Sequence, residues 1–206
     1  MGLGIEVGSL AGALVHDEEG AAWIRRDLEA VNAALAAAGV PVHREPEVFE
    51  GKLLPHLGSF PYSFLHLLRR AFTFTRPGRP PITPAPADFD PATDSLLDEE
   101  LSLFMDSHLC CHSDAEGYYV PIDFADVIYG EITGGMLGSS QALLRELLAV
   151  APLIGIETSD GTVSVATANA LLDDQSHPFS TERMVWGALF ANAQASVEHK
   201  TAIRFG

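Results

Sequence analysis

The stretch from Ser107 to Asp114, SHLCCHSD, gathers two histidines and the chain's only two cysteines within five positions. Imidazole, thiol and carboxylate are the groups that move protons, attack carbonyls and hold transition metals. On a β-strand, side chains alternate between faces. A strand over 103–113 would send Leu103, Met105, Leu109 and Cys111 to one side. Phe104, Asp106, His108, Cys110 and His112 would go to the other. Asp106, His108, Cys110 and His112 are thus the candidate catalytic row, with Asp123 facing them across a hairpin. An enzyme of hydrolytic type, with or without a metal, is one function this pattern allows.

Geometry restricts the metal reading. Zinc takes three or four N, S or O ligands at about 2.0–2.3 Å. A strand rises about 3.3 Å per residue, so His108 and His112 stand about 13 Å apart at Cα, and next-but-one neighbours about 6.6 Å. Of His108, Cys110 and His112, two at most share one zinc ion. The other ligands would come from His43, His56, His66, Asp123 or His177. No second CxxC and no HExxH supports such a site, and no other cofactor is indicated. As a nucleophile, Cys110 has a histidine on each side to stabilise a thiolate, and Asp106 or Asp123 to orient an imidazole. The acidic surroundings raise a thiol's pKa and oppose this. The plainer alternative is a packed strand, with hydrogen-bonded histidines and cysteines serving as small apolar groups.

Weaker signals lie elsewhere. GLGIEVG near the start is glycine-rich but is not a dinucleotide fingerprint. TGGMLGSSQ, ahead of a helix, has the backbone donors for an anion but no P-loop lysine. LLDDQSHPFS groups Asp173, Asp174 and His177, a metal corner or a polar loop. Tyr118 and Tyr119 point opposite ways on a strand, so one of them at most is an exposed contact.

The elements that would position these residues follow from periodicity and punctuation. Ile24, Leu28, Val31 and Leu35 recur every three or four residues and predict a helix over 17–38, ended by Gly39 and Pro41. VPVHREP reads as a short strand. A second helix is expected over 61–72, a helical turn in DSLLDEEL, and further helices over 140–150 and 181–199, the last with Ser180 as N-cap. Residues 103–113 and 118–124 form the expected hairpin, and Pro121 puts its second strand at an edge or bulge. A second hairpin is expected around Asp160-Gly161. Residues 76–93 are proline-rich and read as a surface loop. With 206 residues and no internal repeat, the expectation is a single domain over 1–206. Its class is α+β, a mostly antiparallel sheet of hairpins packed with about four helices.

Charge supplies the other line of argument. The net charge is −16, and no Lys or Arg occurs between Arg79 and Arg145. That window holds Asp88, Asp90, Asp94, Asp98, Glu99, Glu100, Asp106, Asp114, Glu116, Asp123, Asp126 and Glu131. Such a field repels nucleic-acid phosphates and anionic lipid heads and attracts basic proteins. The expectation is a non-catalytic protein that docks a basic partner through region 88–131, in the manner of an inhibitor or immunity protein. Asp98, Glu99, Glu100, Asp114 and Glu116 are its candidate contacts. Neither nucleic acid nor membrane is expected as a partner. No apolar run is long enough to span a bilayer, the start lacks the basic region of a signal peptide, and adjacent cysteines make no disulfide framework. A reduced, cytoplasmic setting fits these features. Solubility or a coding bias toward Ala, Gly and Arg is the competing account of the acids.

Overall fold

The computed structural model describes residues 2–51, 59–163, 167, 171 and 175–206. His56, Asp173 and Asp174 lie outside the described residues. Six strands form one sheet in the order β2-β1-β6-β3-β5-β4. They are β1 (Gly2–Val7), β2 (Ser59–Pro61), β3 (Gly117–Val120), β4 (Ile128–Tyr129), β5 (Met136–Ser139) and β6 (Ile203–Phe205). Every pairing is antiparallel except β3 with β5. The described helices are α1 (Ser9–His16), α2 (Glu18–Ala37), α3 (Tyr62–Thr73), α4 (Ser95–Glu99), α5 (Ser140–Val150) and α6 (Ser180–His199). The class is α+β with a mostly antiparallel sheet.

The middle of the sheet, β3 and β5, is buried on both sides, whereas β1 leaves every second residue wholly or partly exposed on one face. Ile203, Phe205 and Tyr119 join the core formed with α3, α5 and α6. Tyr118, Val120 and Ala202 join the core under α2, whose Ile24, Leu28, Val31 and Leu35 form the expected stripe. Glu6, Arg204 and Tyr118 sit in register across β1, β6 and β3. Arg204 donates to Glu6 and lies over Trp23, while the Tyr118 hydroxyl donates to Asp27 of α2. Polar groups on this face are thus paired with one another, Glu6 at the exposed end and Tyr118 beneath α2.

Local chemistry sets most helix ends where they were expected. Asp17 accepts from the Gly20 N–H and starts α2, and Ser139 accepts from Ala142 and starts α5. Ser180 is the first residue of α6 and not its cap, which is Phe179. Asp160 and Gly161 make the expected two-residue turn between bridged Ser159 and Thr162. Other expectations are corrected. VPVHREP is not a strand: Asn32 holds His43 through both its backbone N–H and C=O. Residues 103–113 are not a strand either, and β3 pairs with β5 and β6 instead. β3 is interior, and Pro121, lacking an N–H, ends it after Val120 instead of marking an edge.

Candidate functional site

Residues 100–104 continue from α4 as a π-helical turn, which ends at Met105 with φ 53°. The chain then enters the core as one helical turn. The Cys111 N–H donates to the Ser107 carbonyl (2.9 Å), and the Cys110 N–H to the Ser107 hydroxyl oxygen (2.9 Å). Both ends of this turn are held from a distance. At its N-terminal end Glu146 of α5 accepts from the His108 N–H (2.7 Å), the Leu109 N–H (2.7 Å) and the Ser107 hydroxyl (3.0 Å). At its C-terminal end buried Arg69 of α3 donates to the carbonyls of Leu109 (2.9 Å), His112 (2.6 Å) and Ser113 (3.4 Å). A carboxyl group thus meets the free N–H groups and a cation the free C=O groups, the polarity that peptide dipoles favour.

The histidines are committed within this framework. The Ser139 N–H donates to His108 Nδ1 (3.0 Å), so Nε2 carries the proton and faces the Ala125 carbonyl (3.1 Å). Burial also lowers the His108 pKa, so the ring is neutral with both nitrogens used. His112 lies between the Ser113 and Tyr118 carbonyls, each 3.0 Å away, stacked on Tyr119 at 4.0 Å. Burial pushes its pKa down to about 4. At neutral pH the ring therefore donates to one carbonyl only. Gly117, with φ 132°, leaves room for this ring: a Cβ there would come within 2.9 Å of it.

The thiols are equally enclosed. Cys110 Sγ faces the Arg69 carbonyl and Cys111 Sγ the Glu100 carbonyl, both at 3.8 Å. Burial raises both thiol pKa values, well beyond neutrality for Cys110. Asp106 points the other way, half exposed, onto Arg76. The four residues expected to share one face therefore make four separate sets of contacts. Among the described residues no three His, Cys, Asp or Glu side chains gather to hold a metal. His43 bonds Glu45 (2.6 Å), which also accepts from Thr201 and Ala202; His66 pairs with Asp114, and His177 accepts from the Phe179 N–H.

Sequence reasoning missed Glu146 and Arg69 as the organisers of this region. One signal was present: Glu146 falls three residues after Leu143, on the apolar face of α5, where a carboxylate needs a reason to be. Burial raises its pKa to about 7.

The acids of the window divide into two sets. Arg76 bonds both oxygens of Glu100 (2.8 and 2.7 Å) and also Asp106. Arg79 holds Glu99, Arg70 holds Asp94, His66 holds Asp114 and Arg145 holds Asp123. Glu100 is fully buried, which corrects its assignment as a partner contact: its charge is spent on Arg76. Asp88, Asp90, Asp98, Glu116, Asp126 and Glu131 are exposed, and none enters an ion pair among the described residues. Of the expected contacts, Asp98 and Glu116 thus remain open. Glu131 lies beside a groove between the alanine face of α2 (Ala30, Ala34, Ala37) and Ile128–Tyr129.

The fold and surface define an acidic α+β protein with its reactive groups inside and half of the window's carboxylates exposed and outside the described ion pairs. Residues 1–205 match the model of the family described as "Putative DNA-mimic protein", and the chain belongs to that family. No match was found among curated proteins or among solved structures. The family corrects the exclusion of nucleic acid from the partners. For a DNA mimic the partners are proteins that bind nucleic acid, and the charge that repels phosphate is the feature they accept. The basic character expected of the partner fits this. No described helix is long and apolar enough to cross a membrane.

Proposed function

We propose that this protein acts without catalysis, in the cytoplasm, by occupying the nucleic-acid-binding surface of a basic protein, as an inhibitor or immunity-type protein would. The supporting observation is that Asp88, Asp90, Asp98, Glu116, Asp126 and Glu131 stay exposed and outside the ion pairs that absorb their neighbours, in a chain of the DNA-mimic family. Open carboxylates offer a lysine- and arginine-lined cleft what phosphates offer: charge to steer the encounter and acceptors to hold it. Association of this kind is fast at low salt and weakens as salt rises.

The test uses the full chain, immobilised, against a cell lysate, with short duplex DNA as the eluting competitor. Proteins that bind nucleic acid should be retained at low salt and released by the duplex. A chain carrying Asp98→Asn, Glu116→Gln, Asp126→Asn and Glu131→Gln should retain at least tenfold less of them. Retention indifferent to both duplex DNA and these substitutions would overturn the reading.

A further inference from the structure

The proline-rich loop is fastened to α3. Arg70 holds it twice, donating to the Thr83 carbonyl (2.9 Å) and pairing with Asp94 (3.4 Å), and lies over the Phe89 ring at 5.8 Å. Ile82 packs against the main core, and the Phe89 N–H donates to the Pro86 carbonyl (3.0 Å). Residues 85–91 thereby form one wall of a cleft of about 310 Å³, whose other walls are the N-terminal parts of α3 and α6. That size lies at the lower end for ligand sites and suits a single side chain. Phe64, Phe89 and Pro178 belong to its apolar lining, and Ser63, Thr181 and Glu182 to its polar lining.

Glu182 is only 4 % exposed, yet among the described residues no ion pair holds it. Its carboxyl group accepts from its own backbone N–H, and Arg70 acts on it through space while bonded to Thr83 and Asp94. The Ser63 and Thr181 hydroxyls bond no other described residue. Burial raises the Glu182 pKa, while the first turn of α6 favours the ionised form. An enclosed carboxylate of this kind is costly until a cation meets it. The loop wall also carries Asp88 and Asp90, exposed and outside the described ion pairs. The chemistry calls for a cation with several donors on an apolar stem. Arginine meets it better than lysine, because a planar guanidinium is weakly hydrated, stacks on aromatic rings and carries five N–H donors. We propose that the cleft is a socket for one arginine side chain of the basic partner: Glu182 receives the guanidinium, the two hydroxyls accept further donors, and Phe64 and Phe89 cover the stem. Asp88 and Asp90 steer it to the mouth. The assignment rests on the proposed docking of a basic protein and names the group that docks.

The experiment is a nuclear magnetic resonance titration of the isotope-labelled full chain with a capped Gly-Gly-Arg-Gly-Gly peptide. Amide shifts should saturate and be largest at Ser63, Phe89 and Thr181. The same peptide with lysine in place of arginine should bind about tenfold more weakly. Glu182→Gln should weaken the arginine peptide by about tenfold or more. Ser63→Trp, which fills the mouth from an exposed position, should do the same and serves if Glu182→Gln fails to fold. Asp126→Asn with Glu131→Gln should bind the peptide as the wild type does. Shifts that do not saturate, shifts spread over the exposed carboxylates alike, an equal response to lysine, or binding that survives the substitutions at Glu182 and Ser63 would overturn the socket. Each of these leaves the lysate result standing. A peptide site that behaves as expected, in a chain whose lysate retention ignores duplex DNA, would instead overturn the docking reading and keep the arginine site.

Discussion

Residues 98–106 and 107–113 are neighbours in the chain and opposites in the fold. The second stretch holds the histidines and thiols, and the structure encloses and hydrogen-bonds them. The first holds ordinary carboxylates and aliphatic side chains, and leaves several of them in water. Chemical versatility on paper and availability to a partner are thus separated by one turn of chain. Buried imidazole and thiol serve packing here, whereas a plain carboxylate gains meaning by being left unpaired.

Substitutions can break this contrast or sharpen it. Arg69→Met should have the largest effect. It leaves the carbonyls of Leu109, His112 and Ser113 without their donor, and denaturant unfolding should show a loss of about 3 kcal/mol or more. Glu146→Gln comes next and is read through pH. Glu146, raised to about 7, contributes stability that is present at low pH and lost as pH rises from 4.5 toward 7. His112, lowered to about 4, contributes stability that is present above 6.5 and lost as pH falls toward 4. The two oppose each other and flatten the wild-type profile between pH 4.5 and 7. Urea unfolding across that range should show Glu146→Gln losing about 3 kcal/mol more toward acid than the wild type.

Smaller effects follow. Cys110→Ala should cost about 1–2 kcal/mol through the space it empties, and in the intact protein both thiols should resist a disulfide reagent until the chain unfolds. Asp126→Asn with Glu131→Gln should change stability by less than about 0.5 kcal/mol. A larger loss in a thermal melt would mean that these carboxylates support the fold, and the two regions would no longer differ in kind.

Except for α1, whose N-cap Gly8 makes no side-chain hydrogen bond and which was missed, the helices were legible because their information is local. Ile24, Leu28, Val31 and Leu35 repeat at helical spacing, and Asp17 and Ser139 supply cap chemistry on the spot. The 103–113 segment was not legible, because its shape depends on Arg69 and Glu146, each roughly 40 positions away. Its alternation of apolar and polar residues suits a strand, yet the turn arises from a buried guanidinium and a largely enclosed carboxyl group that no periodicity reveals. β1, β2, β4, β5 and β6 were overlooked for a different reason. β1 begins with two glycines among its first three residues, the others are only two to four residues long, and all are strands because the sheet collects them. The acidity was plain in composition. Which acids remain open was decided by Arg70, Arg76, Arg79 and Arg145 reaching back into a window that contains no base.

The place of β6 has a consequence for how the molecule is made. Ile203–Phe205 lies between β1 and β3, so the middle of the sheet is the last of its strands to leave the ribosome. Until then β1 with β2, and β3 with β5 and β4, are separate fragments, each with an open inner edge. Contacts that join residue 5 to residue 205 close slowly, and unpaired edges attract other chains. Nascent chains of this protein therefore pass through a vulnerable interval set by translation, in which a holding chaperone matters more than it ever will for the finished fold.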